Sequence, residues 1–260
     1  MLSRLLKHEL KATSRMLVPL YLILFCITIL DRIMLYFLTD SIIMKVVSSI
    51  LTLGFITINI AILIVTTVLM VTRFYKNLMT DEGYLMFTLP VKVNQLITSK
   101  LIIAIFWTVI SFAALFVSTY IAFATPERMD FVLQNIRESF SELQNAFGGS
   151  VVILTIEMIL LIITCFIANI LMFYVSIAIG QLFNGRKLVG SFIAYIGIYT
   201  AIQIILLIIV GFSALINLAD PYSEGSLVIL LPVMVLLLAI SCVVFYGATN
   251  HILSKRLNLE

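Results

Sequence analysis

The sequence predicts an all-α integral membrane protein that crosses the bilayer six times and forms a single transmembrane domain over residues 1–260. The first reason is composition: 62% of the 260 residues are hydrophobic and only 11% are charged, whereas soluble domains carry about a quarter charged residues. The second is the length of the apolar runs, which far exceeds the alternating segments of about ten residues in transmembrane strands. These features exclude a soluble globular protein, a disordered chain and a nucleic-acid binder.

Six apolar runs are long enough to cross the bilayer, since a spanning helix needs about 20 residues. They cover approximately residues 17–38, 46–72, 101–124, 151–180, 188–216 and 227–249. Asp31 and Arg32 interrupt the first run, about 21 Å along a helix from Leu17. We expect these two side chains to snorkel, or to pair with each other or with another helix.

The placement of the basic residues predicts that both termini are cytoplasmic, because cytoplasmic loops carry an excess of Lys and Arg. Of the 16 basic residues, twelve fall on one side of the predicted spans. The other four are Arg32, Lys45, Arg128 and Arg137. We therefore expect a multi-pass protein of the plasma membrane.

Residues 1–16 form a basic amphipathic segment ahead of the first span. Arg4, Lys7, Lys11 and Arg15 recur at helical spacing, and leucines supply the apolar side. This pattern predicts an elbow helix that lies in the headgroup plane with its cations toward anionic lipid. The segment either serves as a topology anchor alone or also contacts a cytoplasmic partner.

The longest predicted cytoplasmic loop covers residues 73–100 and combines acids with aromatic residues. We expect a short helix at the inner membrane face, which Pro90 ends because proline lacks a backbone N–H. The candidate residues are Asp81, Glu82, Gly83, Tyr84, Leu85, Met86, Phe87, Leu89 and Pro90. Exposed aromatics suit a protein docking site, and the alternative is a re-entrant or interfacial turn.

Residues 125–150 predict an extracytoplasmic amphipathic helix. Thr125 suits the N-cap, Pro126 suits the first helical position, and apolar residues recur every three or four positions from Val132 to Phe147. We expect this helix to lie across the outer face as a lid. Its role is either structural capping of the bundle or the release of a cationic or amphipathic substrate.

Few polar residues fall within the predicted spans. Glu157 is an isolated ionisable residue, so it either faces a translocation pathway or lies at the outer interface. Asn59, Thr66 and Gln203 are weaker candidates, because polar side chains also join membrane helices by hydrogen bonds.

The sequence predicts no enzyme site, no metal site and no cofactor bound by this chain. Histidine occurs only as His8 and His251, which leaves no His-based triad or zinc site. Residues 180–187 read GQLFNGRK, but Arg186 stands where a phosphate-binding loop requires lysine and no strand precedes it. Any ATP hydrolysis must therefore occur on another chain.

Two segments, LLKHELKATSRMLVPLY and DEGYLMFTLPVKVNQLITSK, together with the six spans, resemble the permease subunits of ABC-2 type exporters. Within that family the chain is similar to compact permeases of Gram-positive bacteria that export peptides, including phenol-soluble modulin exporters. The resemblance implies a pair of permease subunits, here a homodimer, in which each subunit docks a separate ATP-binding subunit that holds ATP and Mg. It also implies export of amphipathic, antimicrobial or cytolytic peptides by alternating access.

The resemblance further implies roles for individual segments. The candidate loop residues from Asp81 to Phe87 would form the coupling helix, and Leu89 and Pro90 would fix its exit. The elbow helix would also touch the ATPase. Family members bind substrate on helices near the dimer interface, commonly the second and fifth spans. In this chain those spans hold Asn59, Thr66, Tyr195, Tyr199 and Gln203.

Two other classes of function stay open. An ion-coupled secondary carrier needs no ATPase, but such carriers usually have broken helices and internal repeats. A non-transporting membrane subunit, acting in immunity or as a sensor, is the third class. ATP-dependent and proton-dependent transport in inverted vesicles would distinguish the three.

Overall fold

The computed structural model describes residues 2–36, 42–80, 83, 92–183, 186–219 and 225–255. Long helices account for nearly all of these residues. In chain order they are α1 (Leu2–Tyr36), α2 (Ile42–Met79), α3 (Val93–Phe123), α4 (Pro126–Phe147), α5 (Val151–Gly180), α6 (Lys187–Ala219) and α7 (Gly225–Lys255), with a 3-10 turn at Gly148–Ser150 between α4 and α5.

Six helices are long and apolar enough to cross a membrane, namely α1, α2, α3, α5, α6 and α7. The predicted all-α fold is therefore confirmed, with six helices that could span a membrane. Each of these helices is at least as long as the apolar run from which it was predicted. The difference is largest for α1, which begins at Leu2 instead of near residue 17.

The structure does not separate an elbow helix from the first span. A stripe of buried residues runs along α1 in steps of three or four positions. Its members are Glu9, Thr13, Leu17, Tyr21, Leu24, Thr28 and Asp31. Because this stripe begins well before residue 16 and continues without a break, the basic segment forms the first turns of the same helix, even though Pro19 lies within it. Arg4, Lys7, Lys11 and Arg15 are exposed beside the stripe.

The chain divides into two compact units. Unit 1 comprises Met1–Arg73 and Thr98–Asn135, and unit 2 comprises Phe74–Ile97 and Ile136–Glu260. In unit 1, α1, α2 and α3 form a bundle. The face that α3 buries is rich in small side chains, namely Ala104, Ser111, Ala114, Ser118 and Ala122. Small residues let membrane helices approach closely and bring polar groups within hydrogen-bonding distance.

In unit 2, α5 packs against both α6 and α7. The C-terminal end of α5 meets the first turns of α6 at Gly180. A Cβ atom added to Gly180 would lie 2.5 Å from the backbone nitrogen of Ser191 and would also collide with the Ser191 hydroxyl. No L side chain fits that gap without a shift of one helix. Gly180 therefore sets how closely α5 and α6 approach each other.

We predict that Gly180→Ala destabilises the protein by about 1–3 kcal/mol, because the added methyl group overpacks a closed helix contact. Thermal unfolding in detergent measures the change. Gly197→Ala is the matched control, since nothing lies within 4 Å of a Cβ at that position in α6. Alanine there should raise stability by up to about 1 kcal/mol through helix propensity. Equal unfolding temperatures for the two variants would contradict this account of the contact.

Candidate functional site

A buried ion cluster joins the three helices of unit 1. Glu9 of α1 accepts a hydrogen bond from Lys100 Nζ of α3 at 2.7 Å, and its other carboxylate oxygen lies 3.5 Å from Arg73 Nε of α2. Glu9 is 7% exposed and Lys100 is 5% exposed. One carboxylate therefore contacts cations from two other helices; water hardly reaches Glu9 and Lys100, whereas the Arg73 side chain is 25% exposed. We call these three residues the Glu9 cluster.

Sequence reasoning missed the Glu9 cluster. From the sequence, we counted Arg73 and Lys100 only among the twelve basic residues on the cytoplasmic side, and we gave Glu9 no role. The available signal was the spacing of Glu9, Thr13 and Leu17, which puts an acid on the same helical face as two core residues. A charged residue on the inward stripe of a membrane helix requires a partner.

Further along the bundle, hydroxyl and indole groups form additional contacts between the helices. Trp107 Nε1 donates to Thr13 Oγ1 at 2.7 Å. The Ser111 hydroxyl lies 2.8 Å from the Tyr21 hydroxyl and 2.9 Å from the Thr66 hydroxyl, so a single serine connects all three helices. These contacts fix the register of α1 and α2 against α3.

The structure assigns contacts to two of the predicted pathway residues, Asn59 and Thr66. Thr66 is 3% exposed and bonded to Ser111. Asn59 Nδ2 donates to the Phe55 carbonyl at 2.7 Å, and its Oδ1 accepts from the Ser118 hydroxyl at 3.2 Å. Both side chains thus join α2 to α3 by hydrogen bonds, which was the alternative to a place in the translocation pathway.

Asp31 and Arg32 each pair with another helix, one of the expected outcomes. Arg32 donates to the carbonyls of Ala122 at 3.3 Å and Ala124 at 2.8 Å, at the end of α3. The last carbonyls of a helix lack intrahelical partners and carry partial negative charge, so a guanidinium suits that position. Asp31 is fully buried and accepts from the Thr52 hydroxyl at 3.0 Å. Its Oδ2 has no hydrogen bond among the described residues.

In unit 2, aromatic and polar contacts hold the helix ends that flank residues 80–91. The rings of Phe74 and Tyr174 stack with centroids 3.8 Å apart and planes 9° from parallel. Both side chains are buried. At the other flank, the Tyr246 hydroxyl donates to the Asn94 carbonyl at 3.4 Å.

Of the predicted coupling residues, the structure describes only Gly83. It is buried, and its N–H donates to the Thr80 carbonyl at 2.7 Å. A Cβ at Gly83 would lie 2.7 Å from the Leu78 carbonyl oxygen, so this close approach needs glycine. Asp81, Glu82, Tyr84, Leu85, Met86, Phe87, Leu89 and Pro90 lie outside the described residues.

The other predicted pathway residues belong to unit 2. Tyr195, Tyr199 and Gln203 recur every four positions along α6 and so share one face. The Tyr195 ring stacks on Phe173 of α5 at 4.7 Å and lies 6.2 Å from the Tyr199 ring. Glu157 of α5 is half-buried, and its Oε2 has no hydrogen bond among the described residues.

Within the described ranges, no group of His, Cys, Asp or Glu side chains could hold a metal ion. No protein-family model, curated protein or solved structure matches the chain. The contacts described above are therefore the basis for inferring its function.

We predict that Glu9→Gln destabilises the protein by about 3–5 kcal/mol, because it removes the carboxylate charge that the buried Lys100 and the partly buried Arg73 both contact. Thermal unfolding in detergent, followed by the fluorescence of the single tryptophan, Trp107, measures the loss. Glu138→Gln is the control, since that side chain is exposed. The double variant Glu9→Gln with Lys100→Met should lose less than the sum of the two single losses, as expected for interacting residues. Additive losses would contradict a direct pairing.

Proposed function

We propose that the chain is the permease subunit of an ATP-driven ABC-2 type exporter in the plasma membrane of a Gram-positive bacterium. Two copies would form a homodimer with cytoplasmic termini, and two separate ATP-binding subunits would supply ATP hydrolysis with Mg. The observation that carries this proposal is the attachment of the loop between α2 and α3. Both ends of this loop are fixed to other helices, by the Glu9 cluster and a buried aromatic stack and by an exposed hydrogen bond from Tyr246.

A loop that receives force from a motor must be connected rigidly to the helices that it moves. Arg73 precedes the loop and Lys100 follows it, and both bind the single carboxylate of Glu9. Separating these charges in a poorly hydrated region costs more than separating them in water. A displacement of the loop would therefore move α1, α2 and α3 together, as rigid-body transitions of packed helices require.

Unit 2 holds the same loop by different chemistry. Phe74 and Tyr174 bury flat ring faces against each other, and Tyr246 binds the backbone at Asn94. Stacked aromatic pairs contribute about 0.5–1.5 kcal/mol beyond the area that they bury. These contacts support a role of the loop as the coupling element, with Asp81, Glu82 and the aromatic residues that follow facing the ATPase.

The proposed substrate is an amphipathic peptide. Tyr195 and Tyr199 offer ring faces together with hydroxyl groups on one side of α6, and Gln203 continues that side with an amide. Tyrosine contacts apolar groups through its ring and polar groups through its hydroxyl, a combination that suits an amphipathic ligand. We infer that this face of α6 contributes to the pathway.

An ion-coupled carrier is the second candidate, and two carboxylates favour it. Asp31 and Glu157 lie in helices able to span the membrane, and each has an oxygen without a hydrogen bond among the described residues. Ionisable groups in such positions often mark ion pathways. The two mechanisms differ in their energy source, so the transport assay below separates them.

We predict that inverted vesicles containing this chain and a co-expressed ABC ATPase that binds it accumulate amphipathic peptide only when ATP is supplied. Glu82→Ala with Tyr84→Ala should lower the affinity for the ATPase at least about tenfold, because it removes two side chains from the docking surface. ATP-dependent accumulation should fall with it. Binding in detergent and uptake in vesicles measure the two effects. Glu138→Ala with Tyr120→Ala changes the same residue types elsewhere in the chain and should leave both unchanged.

If a proton gradient drove accumulation in the absence of the ATPase, the chain would be an ion-coupled carrier and the exporter proposal would be wrong. Peptide binding without accumulation under either energy source would indicate a non-transporting immunity or sensor subunit. Normal ATPase binding by the Glu82 and Tyr84 double variant would refute the assignment of the coupling helix.

A further inference from the structure

Helix α4 exposes an apolar side that nothing in the described part of the chain covers. Val132, Leu133, Ile136, Phe140 and Leu143 are between 46% and 60% exposed. At 100° per residue these five side chains project within an arc of about 100°. The sequence predicted a lid across the outer face, and no described helix buries this arc. Water-soluble surfaces seldom leave such a continuous apolar face open.

The opposite side of α4 is mainly polar. Gln134, Glu138 and Ser141 project from it and are exposed, although Phe131 also lies on this side. Asp130 and Arg137 lie between the polar side and the apolar arc and are exposed as well. The described charged residues of the helix are Arg128, Asp130, Arg137, Glu138 and Glu142, with one more acid than base. The helix is thus amphipathic with a slightly acidic polar side, so attraction to anionic lipid headgroups would not hold it in place.

Chain connectivity places both ends of α4 near the membrane surface. The helix begins three residues after the end of α3 and ends four residues before the start of α5. Connections of that length reach no more than about 15 Å. Because α3 and α5 are both able to span the membrane, neither end of α4 can move far from the bilayer. A helix of 22 residues is about 33 Å long, so α4 must run along the surface.

Exposed apolar residues also continue on the spans next to α4. Phe116 and Tyr120 are 80% and 61% exposed near the end of α3, and Val152 and Ile153 are 63% and 58% exposed at the start of α5. On membrane-spanning helices such residues face lipid. Both spans next to α4 in the sequence therefore expose apolar side chains close to the ends that connect to it.

We propose that α4 is an interfacial membrane-binding helix whose apolar arc is immersed at the boundary between headgroups and acyl chains. Apolar burial drives the binding, as expected of a helix with an apolar face and without a cationic polar side. The occupant of the exposed face is thus lipid, including uncharged lipid. Under the topology proposed above, this is the outer leaflet.

Spin-label accessibility in the full chain tests the proposal. Cys26, Cys165 and Cys242 are first replaced by serine or alanine. Single cysteines are then introduced as Ile136→Cys and Phe140→Cys on the apolar arc, with Gln134→Cys and Ser141→Cys as matched controls on the polar side. Each variant is labelled with a nitroxide in nanodiscs of zwitterionic lipid. Power saturation measures its collisions with oxygen, which concentrates in lipid, and with a nickel chelate, which stays in water.

We expect the ratio of oxygen to nickel accessibility to be several-fold higher at the two apolar positions than at the two polar ones. The same profile should be obtained in nanodiscs that contain anionic lipid. Equal nickel access at all four positions would mean that α4 projects into water. Protection of the apolar positions from both reagents would mean that protein, such as a second copy of the chain, covers the arc.

Either of those results would overturn the proposal, as would an interfacial profile that requires anionic lipid. The measurement uses the permease chain without an ATPase, a substrate or an energy source. Its outcome is therefore independent of whether the exporter assignment holds.

Discussion

The bundle of unit 1 depends on a single carboxylate. Lys100 is almost completely buried and Arg73 partly so, and two cations in such a place need a counter-charge. Glu9 supplies it only if the first turns of α1 lie inside the bundle. The side chain of Arg73 is 25% exposed, so part of it keeps contact with solvent. This constraint accounts for the buried stripe of α1, which continues toward the N-terminus as far as Glu9.

Beyond the Glu9 cluster, hydrogen bonds determine how the helices align. Lipid tails are as apolar as leucine, so apolar side chains alone give membrane helices little preference for one register. In this bundle α3 supplies the aligning groups at intervals along its length. Trp107, Ser111 and Ser118 bind side chains of α1 or α2, and the carbonyls at the end of α3 bind Arg32. The small residues between them let the backbones come close enough for these bonds to form.

The sequence was sufficient for the spans because bilayer thickness imposes a length that apolar runs must match. It also predicted the start of α4, because N-terminal capping of a helix is a local interaction. The Arg128 backbone N–H donates to Thr125 Oγ1 at 3.4 Å. The Glu9 cluster could not be predicted, since its members are far apart in the sequence. The positive-inside rule also treats every loop cation alike. Thr66 was ambiguous for another reason: a residue that lines a pathway and one that joins two helices can be the same polar type.

The first turns of α1 and the whole of α4 show the same helical periodicity but have different surroundings. The inward face of α1 includes Glu9 and Thr13, polar groups whose immersion in hydrocarbon without a partner would be costly. Such a face needs protein, and α2 and α3 supply it. The apolar arc of α4 consists of side chains such as Ile136 and Phe140, which lipid accommodates without any specific partner. Polar residues on the inward face, and not the periodicity itself, therefore distinguish a protein-facing amphipathic helix from a lipid-facing one.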